Sequence, residues 1–331
     1  MATALGSGSG FALAQSNDPP CPDRVLAPYG LAPDSHCKGT GCLVEFKNHK
    51  WWTAFTFNKT EGYYNGGLGT TFAPEHVAII PDGMTLTMAK DWKNNTEWAG
   101  AEAVLMFKKD GSQANYGYGD YLVTAELVAP PQANWTDYDP NVAFGLFTYE
   151  RPATGSVNNS AREIDLAEIS RWGWNHTDPV TCPFTGFNGA FDTATLCKGN
   201  AQFALQDYTK KAGMVHRYDI GRNADGTIEK IQEVTLVMRW RKGQVTFDKY
   251  HGKGLTLATL PATPDEEWVT PTSPPAKDLS AFVPAPKCQR FHINLWLGNY
   301  IGKAAGAPHD GPTNKQDVTV LIKNFEFKPA K

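Results

Sequence analysis

Eight segments of this chain alternate apolar and polar side chains with a period of two: 84–90 (MTLTMAK), 120–127 (DYLVTAEL), 142–149 (VAFGLFTY), 201–208 (AQFALQDY), 234–241 (VTLVMRWR), 244–250 (QVTFDKY), 291–298 (FHINLWLG) and 318–327 (VTVLIKNFEF). Turn sequences such as PDG, KKDG and NADG stand between them. A period of two sends successive side chains to opposite faces of a strand, so each segment offers one apolar face for burial. Few stretches carry the period of a helix. Many strands with one buried face each pack as two sheets, so the expected class is all-β, a sandwich of two antiparallel sheets. The composition agrees: 20% of residues are charged, 12% are aromatic, and there are 31 glycines and 23 prolines, as in a loop-rich β protein. The Pro-rich stretch 261–276 and the Gly/Pro-rich stretch 302–314 read as surface excursions.

One further segment sorts differently. Residues 163–170, EIDLAEIS, place three carboxylates among aliphatic side chains. On a helix, at about 100° per residue, Ile164, Leu166, Ala167 and Ile169 scatter around the circumference and leave no apolar stripe. On a regular strand each face is mixed. One β-bulge near Ala167 resolves the pattern: Glu163, Asp165, Glu168 and Ser170 then face one way, and Ile164, Leu166 and Ile169 the other. Three acids on one face repel one another and add nothing to a core. A solvated edge strand uses such charges to block aggregation. Cleavage of a glycosidic bond with retention uses two carboxyl groups roughly 5 Å apart, one to attack the anomeric carbon and one to protonate the leaving oxygen. A third acid between them would hold the pair in opposite protonation states, because crowded like charges push one pKa upward.

The remaining composition narrows the partners. The 331 residues suffice for a sizeable core, and a net charge of −3 supplies no basic field for phosphate, so nucleic acid is not an expected partner. No apolar run approaches the ~20 residues that cross a bilayer as a helix, so no membrane partner is expected. The six cysteines, Cys21, Cys37, Cys42, Cys182, Cys197 and Cys288, form no CxxC pair, which favours disulfides over zinc or thioredoxin-type chemistry. The eight histidines show no ligand spacing; His216 and His292 read as packed or loop histidines, and no catalytic metal is expected. Residues 1–38 read as a leader or signal remnant and an N-terminal arm, with Ala12-Leu13-Ala14 resembling a small-residue cleavage site, and 39–331 as a single catalytic domain. With the cysteines, this makes a secreted protein the expectation. Asn58, Asn94, Asn134, Asn158 and Asn175 each open an N-x-S/T sequon, of consequence only in a eukaryotic secretory host. Nothing requires more than a monomer.

REIDLAEIS resembles the signature strand of glycoside hydrolase family 16, in the ExDxxE form that includes a bulge. Other segments follow in that family's order. YGYGDYLVTAEL (116–127) is similar to its YGYG segment and strand, and FGLFTYE (144–150) to the strand before the catalytic one. VHRYDI (215–220) with MRWRKGQVTFDKYHG (238–252) resembles its H-x-Y segment and hairpin, INLWLGN (293–299) its NLWxG, and VTVLIKNFEF its last strand.

The resemblance implies a β-jelly-roll whose concave sheet forms a cleft for a β-linked polysaccharide. It implies Glu163 as nucleophile, Asp165 as electrostatic helper and Glu168 as general acid/base of a double displacement. No cofactor is required, and some relatives carry a structural calcium on the convex face. Glu102 stands where the family places a sugar-binding carboxylate. Asn294 and Trp296 match NLW and share a strand face by their spacing. Tyr149 belongs either to the cleft or to the core. AQFALQDY resembles QFNYY, with Ala204 and Gln206 replacing the Asn and Tyr that contact sugar, so Gln206 is a contact of altered specificity. NNSAREID lacks the tryptophan that β-glucan-active members carry upstream of the first acid; Trp172 and Trp174 either supply that stacking plane or pack on the sandwich edge. A Cys182–Cys197 disulfide would hold the loop between them over one end of the cleft. The expected activity is retaining endo-hydrolysis of a β-1,3- or mixed β-1,3/1,4-glucan. The alternatives are a transglycosylase on the same scaffold and a non-catalytic glycan-binding sandwich.

Overall fold

The computed structural model describes residues 42–53, 71–90, 98–130, 134–139, 141–149, 162–170, 199–207, 212–221, 227, 229–270, 283–286, 289–297 and 311–331. Among them the regular elements are strands, apart from 3-10 turns at Pro74–His76 and Trp135–Asp137. In chain order they are β1 (Cys42–Phe46), β2 (His49–Thr53), β3 (Thr71–Phe72), β4 (Val77–Ile80), β5 (Gly83–Lys90), β6 (Trp98–Lys108), β7 (Gly119–Ala129) and β8 (Val142–Tyr149). There follow β9 (Arg162–Ile169), β10 (Ala201–Asp207), β11 (Ala212–Tyr218), β12 (Glu233–Arg241), β13 (Gln244–His251), β14 (Glu266–Val269), β15 (Arg290–Leu297) and β16 (Val318–Pro329). All eight alternating segments are strands, as their period predicts.

The strands form the two layers of a jelly-roll sandwich. One runs β11-β10-β9-β8-β15-β6 and continues through β2 to β1; the other runs β5-β16-β7-β12-β13-β14, with β4 outside β5. They join where β5 pairs with the start of β6, Ala89 opposite Ala99 and Lys90 opposite Trp98. At the far side the two remaining edges meet. His216 of β11 lies 2.7 Å from Glu266 of β14 through Nε2, and its ring stacks on Trp268 at 5.7 Å. Between the layers Phe144, Leu146, Ile164, Leu166, Ile293 and Leu295 meet Met84, Leu86, Val123, Leu236, Met238, Val320 and Ile322 in one apolar core. Aromatic stacking spans it, with Phe203 of β10 against Phe247 of β13 at 5.1 Å.

Strand β6 escapes the period-two reading because it is buried at every position except its last. Its inward residues Ala101, Ala103 and Leu105 join the main core. On its other side Val104 and Met106 pack with Leu43 and Trp52 of the β1–β2 hairpin. A strand covered on both faces has no polar face to reveal it.

Cys42 opens β1, and the other five cysteines lie outside the described residues, as do the leader and four of the five sequons. The fifth sequon residue, Asn134, is 2% exposed, and its Oδ1 accepts the Thr136 N–H at 3.0 Å, an Asx turn folded into the protein rather than a presented acceptor. Among the described residues no helix is long and apolar enough to cross a membrane, and no group of three or more His, Cys, Asp or Glu could hold a metal ion.

Candidate active site

Strand β9 lies between β8 and β10, and its register with both shows how the carboxylates are sorted. On β8, Tyr149 faces Glu163, Phe147 faces Asp165 and Gly145 faces Glu168. On β10 the partners are Gln206, Ala204 and Gln202. From Asp165 to Glu168 is three residues on β9 but two on each neighbour. That extra residue is a β-bulge at Leu166–Ala167, where the sequence demanded it. Its signature is two consecutive inward side chains: Leu166 and Ala167 both sit fully buried in the core with Ile164 and Ile169. Glu163, Asp165 and Glu168 consequently share the opposite face.

Strand order then assembles a polar row across that face. Glu102 of β6 pairs with Asn294 of β15, Asn294 with Gly145, Gly145 with Glu168, Glu168 with Gln202, and Gln202 with Arg217 of β11. The next row reads Val104, His292, Phe147, Asp165, Ala204 and Val215. A third holds Arg290, Tyr149, Glu163 and Gln206. Although these positions point away from the core, Asp165 and Gln202 are fully buried, and Glu102, Asn294 and Arg217 are 2%, 4% and 4% exposed. Buried in this way, polar groups act on one another at greater strength than on an open surface.

Hydrogen bonds fix several of these groups. Gln202 Nε2 donates to Glu168 Oε2 at 2.5 Å. His292 Nδ1 lies 2.9 Å from Glu102 Oε1, and the imidazole stacks on Phe147 at 4.9 Å. Arg290 donates to the Met106 carbonyl at 2.9 Å and to Gln113 Oε1 at 3.2 Å. Burial pushes the Glu168 carboxyl above the ordinary glutamate value, against the partial downward pull of the Gln202 hydrogen bond and the Arg217 charge. The shift is toward the neutral, proton-bearing form.

Gly145 leaves bare backbone between Glu168 and Asn294. A Cβ there would lie 2.5 Å from Asn294 Oδ1, a buried atom that accepts from no donor among the described residues. Gly145→Ala is therefore expected to displace the Asn294 side chain and cost about 1–3 kcal/mol of stability by overpacking. Chemical denaturation measures the loss, and an unchanged midpoint would show that Asn294 moves aside freely.

Of the residues singled out in the sequence, Glu163, Asp165, Glu168, Glu102, Tyr149, Asn294 and Trp296 fall on this one face. Tyr149 belongs to it rather than to the core, at the end of β8 beside Glu163. Gln206 pairs with Glu163 through the backbone, whereas Trp172 and Trp174 lie outside the described residues. The structure adds Gln202, Arg217, Phe147 and His292, which sequence reading had not placed there. Period two was the available signal for two of them: His292 precedes Asn294 by two, and Phe147 precedes Tyr149 by two.

No family model and no curated protein matches the sequence. Solved structures do resemble the fold. The catalytic domain of an endo-1,3-beta-glucanase (laminarinase) from Thermotoga petrophila RKU-1 aligns over 87% of this chain and 94% of its own at 11% identity, with a TM-score of 0.52. A prokaryotic beta-1,3-1,4-glucanase (lichenase) derived from a mouse hindgut metagenome aligns over 87% and 96% at 18% identity and a TM-score of 0.49. A Bacillus licheniformis beta-glucanase aligns over 89% and 100% at 16% identity and 0.47. At such identity the likeness to the laminarinase shows the fold alone, a β-sandwich, and a fold does not fix its chemistry.

Proposed function

We propose that this chain is a retaining, endo-acting glycoside hydrolase that cleaves a β-1,3- or mixed β-1,3/1,4-glucan by double displacement. The observation that carries this reading is the bulged strand β9, which sets Glu163, Asp165 and Glu168 on one face with Glu168 shifted toward its neutral form. Glu163 attacks the anomeric carbon while Glu168 donates its proton to the departing oxygen, leaving a glycosyl ester on Glu163. Glu168, now ionised, takes a proton from water, which attacks the same carbon, frees Glu163 and returns the sugar with its configuration retained. Asp165 lies between the two in sequence and is fully buried, so its charge bears on both steps. The carboxylates complete this chemistry without a cofactor. Secretion as a monomer is part of the same proposal, resting on the cysteine set and on a substrate too large to enter cells.

The test is incubation of the wild-type protein with laminarin, barley mixed-linkage glucan, lichenan, agarose, carrageenan and xyloglucan, counting new reducing ends and sizing the products. Internal cleavage of laminarin or mixed-linkage glucan, with β-anomer product first in the NMR spectrum, is the expected result. α-Anomer product would end the retaining mechanism. Products longer than the substrate would identify transfer to sugar instead of water, and binding without products would leave a lectin-like sandwich.

A further inference from the structure

We propose that His292 is a glycan-contacting residue that offers a fixed hydrogen-bond acceptor, Nε2, to a sugar hydroxyl. The inference rests on the carboxylate face being the glycan face. It concerns a residue with no part in the displacement chemistry.

Alternation along β15 sends Ile293, Leu295 and Leu297 into the core, and His292, Asn294 and Trp296 to the other side. His292 thus stands in the row of Asp165, separated from it by Phe147, at two strand spacings or roughly 10 Å. Three contacts hold its ring. Nδ1 lies 2.9 Å from Glu102 Oε1, one ring face stacks on Phe147 at 4.9 Å and 17°, and the Tyr149 ring meets it edge-on at 6.1 Å and 79°. Glu102 as a carboxylate only accepts, so the proton of that contact sits on Nδ1, and in a neutral imidazole Nε2 is then the acceptor.

That acceptor makes no hydrogen bond to any described residue, and the ring keeps some exposure to solvent. The side chain is 12% exposed, while that of Glu102 is 3% exposed. His216 is the instructive contrast. Its Nε2 is bonded to Glu266 and its ring is clamped between Phe203 and Trp268, a histidine whose contacts close the sandwich. At His292 the fold ties down one nitrogen and both flanks and leaves the other nitrogen accessible. An orienting carboxylate on Nδ1 with an open Nε2 is the arrangement by which histidines are preorganised for a ligand.

The chemistry also selects the ligand. A neutral ring nitrogen backed by a carboxylate accepts from O–H and disfavours sulfate or carboxylate substituents, which would bring like charge toward Glu102. The position therefore fits an unsubstituted sugar hydroxyl, as in a neutral glucan.

Two measurements test this. In 15N-histidine-labelled Glu163→Gln protein, two-bond 1H–15N spectra should show His292 in the Nδ1–H tautomer, with Nε2 shifting when laminarin hexasaccharide is added. In the otherwise wild-type protein, His292→Phe keeps a ring to stack on Phe147 but removes the acceptor. It should raise KM on laminarin about tenfold with kcat within about twofold, the size of one lost hydrogen bond made equally in ground and transition states. His292→Gln, which returns an amide oxygen near the Nε2 position, should recover most of the loss. An Nε2 resonance unmoved at saturating hexasaccharide, or a folded protein that binds none, overturns the proposal. Failure of the hydrolase reading is distinguishable: the hexasaccharide binds and Nε2 shifts, but the wild type releases no new reducing ends.

Discussion

Glu163→Gln is expected to reduce turnover of any glucan that the wild type cleaves by at least about 10⁴-fold, the scale seen when a covalent nucleophile is removed. The amide is nearly isosteric with the carboxylate but cannot form the glycosyl ester. Because Glu163 lies at the solvent-reaching end of the β9 face and is only partly buried, the exchange leaves core packing untouched. Its melting temperature should match the wild type within a degree or two, and the variant should still bind oligosaccharide. Reducing-end counts beside a calorimetric scan decide the matter. Retained turnover would remove Glu163 from the mechanism, whereas lost turnover with a collapsed melting transition would say nothing of chemistry and only report misfolding.

Glu168→Gln is expected to lower kcat/KM on unactivated polysaccharide by about 10²–10⁴-fold, the usual contribution of general acid catalysis. The same change should stabilise the fold at neutral pH, and the sign follows from burial. The folded state holds the Glu168 proton more tightly than the unfolded chain does, because the surroundings penalise the charged form. The wild type is accordingly unpenalised below the ordinary glutamate value and loses stability as pH rises through the elevated one. A neutral glutamine carries no such penalty. The melting temperature of the variant should exceed that of the wild type near neutrality, and the gap should close as pH falls through the ordinary glutamate range. A gap that is absent, or constant with pH, would mean that the Glu168 carboxyl ionises as readily in the fold as in water. The elevated value also fixes the alkaline limb of the wild-type activity profile, which should lie above the ordinary carboxylate range.

The sequence carried the fold class because alternation is local: each of the eight segments displays its own buried face without knowledge of its neighbours. It carried the β9 arrangement for the same reason, since only a bulge sorts Ile164, Leu166 and Ile169 from the three acids. What it did not carry is set by strand order. Gln202 and Arg217 come to Glu168 because β10 and β11 stack outward from β9, a pairing between residues far apart in the chain that no local pattern encodes. Strand β6 was hidden by its alanines and by burial on both faces, with Val104 and Met106 packed beside Leu43 and Trp52 of the neighbouring β1–β2 hairpin. His292 was visible to the period-two rule, but a histidine among aliphatic residues reads as packing until the open nitrogen is seen.

The bulge in β9 also bears on how such a strand can change over time. Removing Ala167 would leave EIDLEIS, an ordinary strand in which the three acids fall at every second position and still share one side. A single-codon deletion at this point therefore leaves the acids and the aliphatic residues on their own sides, whereas the same event at Ile164, between Glu163 and Asp165, would part Glu163 from its companions. Spacing along the chain is thus free to drift among descendants of such a strand, while the shared side is what selection for the carboxylates would preserve.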